Sequence, residues 1–129
     1  MPQDLIAGRY RVQHAVGRGG MGTVWLCRDE VLGREVAVKQ VGNLPGESAT
    51  DTARALREAR SSAALNHKNV VSVFDVIDTD DGRAWLVMEY VPSRTLSELL
   101  RDEGPLEPRR AARIAAQIAD GLAAAHAAG

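Results

Sequence analysis

The chain is predicted to fold as an α+β protein: a five-stranded antiparallel sheet with one helix, followed by two further helices. Three observations carry that prediction. Short β-rich segments separated by Gly- and Asp-containing turns fill residues 9–41 and 70–89. One amphipathic helix interrupts them. Beyond Pro92 the composition shifts to alanine-rich segments with apolar residues at four-residue spacing.

Tyr10, Val12 and Val16 define the first strand, which runs into the glycine cluster Gly17 to Gly22. Thr23-Val24-Trp25-Leu26-Cys27 follows as β-forming residues, which makes the pair a hairpin. After the Val31-Leu32-Gly33 turn, Arg34 to Val41 forms a third strand whose Val36-Ala37-Val38 is apolar enough to be buried on both faces. Residues 43–51 read as a loop in which Thr50 or Asp51 caps a helix beginning near Thr52. Ala55, Leu56, Ala59, Ala63 and Ala64 form its apolar stripe, and it ends around Leu65-Asn66-His67. Val70 to Ile77 and Ala84 to Glu89 are the fourth and fifth strands, joined through an Asp-Gly turn. Thr95 and Glu98 form a capping box for a short helix, and Pro108 suits the first turn of a long one carrying Ile114, Ile118 and Leu122. Either a larger helical region covers that last stripe or the alanine-rich tract docks on the sheet.

The bulk properties exclude several classes. At 129 residues, with 26% charged and 45% hydrophobic residues, the chain is neither disordered nor fibrous in composition. A net charge of −1 with interspersed signs argues against a nucleic-acid partner. No apolar run approaches the ~20 residues that span a bilayer, and the first residues lack a signal-peptide pattern, so a cytoplasmic location without membrane contact by this segment is expected. Any membrane anchor would lie downstream in a longer parent chain. The single Cys27 is expected to be a small packed side chain in a reducing compartment.

Three elements carry chemistry. Gly17-Arg18-Gly19-Gly20-Met21-Gly22-Thr23-Val24 fits G-x-G-x-x-G-x-V, a backbone able to lie over phosphates and offer its N–H groups. A dinucleotide-binding fold would require a helix near Thr23, where the sequence is β-rich, and a Walker-type loop would require Gly-Lys-Ser or Gly-Lys-Thr. Lys39 ends an apolar strand, where its ammonium must reach solvent or an anion. Glu58 lies on the following helix and can orient that lysine, the alternative being a solvated glutamate beside Arg54 or Arg57. Their order and spacing make a glycine loop, strand lysine and helix glutamate one constellation.

With Val36-Ala37-Val38-Lys39, Leu65-Asn66-His67-Lys68-Asn69-Val70-Val71 and Leu86-Val87-Met88-Glu89-Tyr90-Val91, the stretch from Tyr10 to Gly129 resembles the start of a protein kinase domain of the bacterial, eukaryotic-like serine/threonine type. Lys68 stands where that family favours proline. The resemblance implies a small lobe over residues 1–91 and, over 92–129, the hinge exit and first helices of an incomplete large lobe. It implies ATP with Mg2+ as cofactors and a protein substrate bearing Ser or Thr. Gly17, Gly19, Gly20 and Gly22 would cover the phosphates, Lys39 would bind them and Glu58 would orient Lys39. Val16, Val24 and Ala37 would line the adenine pocket, Met88 would guard its back, and the backbone of Glu89 and Val91 would read the adenine edge.

Kinases of this type continue with H-R-D-x-x-x-x-N and D-F-G, and neither occurs in these 129 residues. None of His14, His67 and His126 is followed by Arg-Asp. The expectation is a chain that stops just before the catalytic loop, has no metal ligands of its own and is inactive alone. The alternative is a noncatalytic nucleotide-binding or protein-interaction module, such as a truncated kinase or pseudokinase, able to form a kinase-lobe dimer.

Overall fold

The computed structural model describes residues 4–19, 22–41, 48–79 and 82–128. Six strands, β1 (Leu5–Ile6), β2 (Tyr10–Gly19), β3 (Gly22–Asp29), β4 (Arg34–Gln40), β5 (Val73–Asp78) and β6 (Ala84–Glu89), form one antiparallel sheet in the order β1-β2-β3-β4-β6-β5. The five expected strands are present, and two-residue β1 is added at one edge. Among the described residues three helices accompany them, α1 (Ala49–Ala63), α2 (Leu96–Glu103) and α3 (Pro108–Ala128). The chain divides into two compact units, Met1–Ala64 with Ser72–Tyr90, and Leu65–Val71 with Val91–Gly129.

Two apolar cores explain the first unit. On one face of the sheet Ile6, Tyr10, Cys27, Val36, Val38, Trp85 and Val87 form a cluster to which no helix contributes, so the curled sheet closes over its own side chains. Val36, Val38 and Cys27 are fully buried there, and burial pushes the Cys27 thiol up to about 11. On the other face Val41, Ala59, Ala84 and Leu86 form a second cluster with Leu56, Val73, Val76 and Met88. Ala59 and Leu56 bring α1 onto this face, whereas Ala63 and Ala64, expected on the same stripe, are exposed.

Hydrogen bonding sets the helix starts. The cap of α1 is Ser48, earlier than the expected Thr50 or Asp51. Ser48 Oγ accepts from the Asp51 N–H at 3.1 Å, and the Asp51 carboxylate accepts from the Ser48 N–H at 3.3 Å; these bonds from Ser48 hold the Asp51 carboxyl below its ordinary range. Thr95 and Glu98 make the expected box on α2, and α3 begins at Pro108 as its composition requires. Within the second unit Glu103 joins Arg94 to Arg110, tying the ends of α2 and the start of α3 together. Ile118 and Leu122 stay exposed.

Candidate functional site: a lysine row beneath a helix

Strand register assembles the site. Gly17 pairs with Val24, Val24 with Lys39, Lys39 with Leu86 and Leu86 with Val76, so one row of residues crosses five strands. Directly opposed residues share a face, which puts Val24, Lys39 and Leu86 on the same side. A second row on that side runs Leu26, Ala37, Met88, Val73. A bulge in β5 between Val73 and Asp75 keeps both Val73 and Val76 on this face, although they are three residues apart.

This face is the one α1 covers. Lys39 is half-buried in the middle of its row, with Val24 and Leu86 beside it. Glu58 is exposed on α1 and adjacent in sequence to the buried Ala59 that fastens the helix down. No hydrogen bond or ion pair joins Lys39 to Glu58 among the described residues.

Gly17, Gly19 and Gly22 lie at the glycine-bearing ends of β2 and β3. Gly19 pairs with Gly22, whose φ of 106° lies where L side chains are strained. A Cβ built at Gly17 or Gly22 meets nothing within 4 Å, so the backbone here has open space around it. That room suits an anion approaching main-chain N–H groups. Gly20, also singled out from the sequence, lies outside the described residues. Val16 sits at the bulge before Gly17 and is exposed, while Val24 and Met88 are half-buried and Ala37 is buried.

At the end of β6 the Glu89 N–H donates to the Ser72 carbonyl at 2.8 Å, and the Glu89 carboxylate accepts from the Ser72 N–H at 3.1 Å. The amide of Glu89 is therefore committed, and any reading of a ligand edge by this residue falls to its carbonyl. Val91 follows as an exposed residue of the second unit. Leu26 is an addition: buried, opposite Ala37 and in the row of Met88, it was legible from its two-residue spacing to Val24.

Among the described residues, no group of three His, Cys, Asp or Glu side chains is arranged to hold a metal ion, and no helix is long and apolar enough to cross a membrane. Residues 10–129 match the protein kinase domain family. The chain is 40% identical over 121 residues to the serine/threonine-protein kinase PrkC of Bacillus subtilis, covering 94% of this chain and 18% of that protein. It is 38% identical to pkn3 of Myxococcus xanthus over 96% of this chain and 23% of that one, and 38% identical to the probable kinase PknB of Corynebacterium glutamicum over 97% and 20%. The chain thus spans about a fifth of the length of these curated relatives. A match over nearly the whole sequence, taking in the glycine hairpin, the lysine row and the helix that covers it, shows that the chain belongs to the protein kinase domain family.

Proposed function

We infer that this chain is the ATP-binding portion of a serine/threonine protein kinase, which transfers the γ-phosphoryl of MgATP to Ser or Thr hydroxyls of protein substrates. The observation that carries the reading is the row Gly17–Val24–Lys39–Leu86, which sets the glycine hairpin and the strand lysine in register on the face that α1 covers. Gly17, Gly19 and Gly22 bring main-chain N–H groups over the phosphates, with Gly20 between them in sequence. Lys39 supplies a positive charge to the α- and β-phosphates, and Glu58 turns inward to hold Lys39 once nucleotide is bound. Val16, Val24, Ala37 and Met88 give the adenine an apolar surround. The Glu89 carbonyl and the Val91 backbone read its edge. Serine and threonine as acceptors follow from the kind of kinase the relatives are named as, and a cytoplasmic setting goes with the use of ATP.

The 129-residue chain alone binds nucleotide without transferring phosphate. It contains neither His-Arg-Asp nor Asp-Phe-Gly, so the base and the Mg2+ ligands on which this chemistry depends are not in its sequence. Calorimetric titration with ATP tests the site: saturable binding that Lys39→Met weakens supports it, and equal affinity in the two proteins rejects the phosphate role. Labelled phosphate transferred to a generic protein substrate by the wild-type chain, and not by Lys39→Met, would overturn the inactivity of the chain.

A further inference from the structure

β5 and β6 pair antiparallel, and at one end of the ladder the last opposed residues are Val73 and Met88. The next pair along would be Ser72 with Glu89, and it is only half made of main chain. The Glu89 N–H donates to the Ser72 carbonyl at 2.8 Å, as an antiparallel pair requires. In a complete pair the Ser72 N–H would return a bond to the Glu89 carbonyl. It donates instead to the Glu89 side chain, at 3.1 Å from Oε1.

The carboxylate thus stands in for the carbonyl of its own residue, and as a charged acceptor it makes the stronger bond. A strand residue sends its N–H and its C=O toward the same neighbour, so the Glu89 carbonyl faces the side of β5 and not Val36, its opposite residue on β4. Ser72 makes no claim on it. Inside a sheet a main-chain carbonyl left over in this way is a poor arrangement, because nearly every such group is paired. Here the sheet ends: Ser72 lies outside β5, and Glu89 is the exposed last residue of β6.

We propose that the Glu89 carboxylate and the Ser72 N–H are positioning groups for base recognition: by pairing with each other they release the Glu89 carbonyl to accept from the amino edge of adenine. The side chain itself touches no nucleotide and acts through its own main chain. Without the carboxylate, the Ser72 N–H turns to the nearest remaining acceptor, the carbonyl of residue 89. The ladder is then completed, and that oxygen is withdrawn from the ligand. Glutamine keeps an oxygen at the same reach, and alanine has none. This inference rests on the reading of the Glu89 carbonyl given above.

Two measurements on the 129-residue chain test it, with Glu89→Ala and Glu89→Gln. The first is the NMR coupling carried through a hydrogen bond from the Ser72 amide nitrogen to the carbonyl carbon of residue 89. It is expected to be absent in the wild type and in Glu89→Gln, and to appear in Glu89→Ala. The second is the calorimetric affinity for ATP, for inosine triphosphate, which carries an oxygen in place of the amino group, and for inorganic triphosphate. The wild type is expected to favour ATP over inosine triphosphate. Glu89→Ala is expected to lower that preference by roughly threefold to tenfold, the scale of one hydrogen bond, with inorganic triphosphate bound as before. Glu89→Gln is expected to keep most of the preference. A coupling in the wild type, an unchanged preference or a parallel loss of triphosphate binding in Glu89→Ala, or an equal loss in the two variants overturns the proposal. If the wild type binds no nucleotide, or binds ATP and inosine triphosphate alike, the reading of the carbonyl fails by itself, and the coupling still decides whether the carboxylate takes its place in the ladder.

Discussion

Arg9 grips Asp29 with two parallel hydrogen bonds, Nε to Oδ1 and Nη2 to Oδ2, each 2.9 Å. Asp29 is almost wholly buried, and its Oδ1 also accepts from the N–H groups of Val31 and Leu32, so one carboxylate ties the start of β2 to the β3–β4 turn. The Arg9 guanidinium, with these backbone donors, holds the Asp29 carboxyl down at about 2 against burial that pushes the other way. Its contribution to stability is present above the ordinary value near 3.8 and is lost as pH falls toward 2. Denaturant midpoints measured across that window are expected to fall more steeply for the wild type than for Asp29→Asn. At neutral pH, Asp29→Ala is expected to destabilise by roughly 1–3 kcal/mol, since it removes the one acceptor shared by Arg9, Val31 and Leu32.

Gly22→Ala tests the hairpin. The φ of 106° at this position puts any Cβ under local strain even though the space around it is open. Thermal unfolding is expected to show a loss of about 1–2 kcal/mol. A shift of similar size at Gly17, whose φ is not positive, would indicate that something other than backbone conformation is responsible.

Lys39→Met removes the charge and keeps the length of the stem. A half-buried cation between Val24 and Leu86 contributes little to folding that methionine cannot replace, so the melting temperature is expected to hold. ATP affinity is expected to fall by roughly tenfold to a hundredfold, the scale of one or two charge-assisted contacts. Raising the salt concentration should shrink the difference between the two proteins.

Ser48→Ala and Thr95→Ala each remove a cap that closes a reciprocal box. Circular dichroism on urea titration is expected to report a loss of about 1 kcal/mol for each. Ser48→Asp should restore most of the first, because a carboxylate also accepts from the orphan N–H groups at the start of α1.

Much of this architecture is legible in the sequence. Ala84 to Glu89 is bounded by a Gly-containing turn and a proline, and β6 has those limits. Thr95, Glu98 and Pro108 announce helix starts through chemistry that acts within four residues, and local chemistry survives folding unchanged. The strand of Leu5 and Ile6 is too short for any periodicity and exists because Arg11 and Tyr10 lie alongside to pair with it. The start of β5 moves from Val70 to Val73 because Val70 packs against Gly121, a contact between positions far apart in the chain. The cap falls on Ser48 for a subtler reason: Asp51 looks like a cap in isolation, and only the bond between the two puts it at the third helical position. Likewise the register that lines up Gly17, Val24 and Lys39 depends on bulges in β2 that no spacing rule foretells.

The two faces of the sheet are sealed by different means, one by its own curvature and the other with the help of Leu56 and Ala59. Losing α1 therefore leaves Val36, Val38, Trp85 and Val87 covered, so the strands can persist while the helix is away. The lobe has two tiers of stability, with helix release a smaller step than global unfolding. A ligand that prefers the docked arrangement draws the population toward it by its difference in affinity for the two forms, and anything that favours the released helix opposes it to the same degree. An element whose share of the apolar core, among the described residues, is Leu56 and Ala59 is thus a natural place for control: weak enough to let go, without taking the sheet with it.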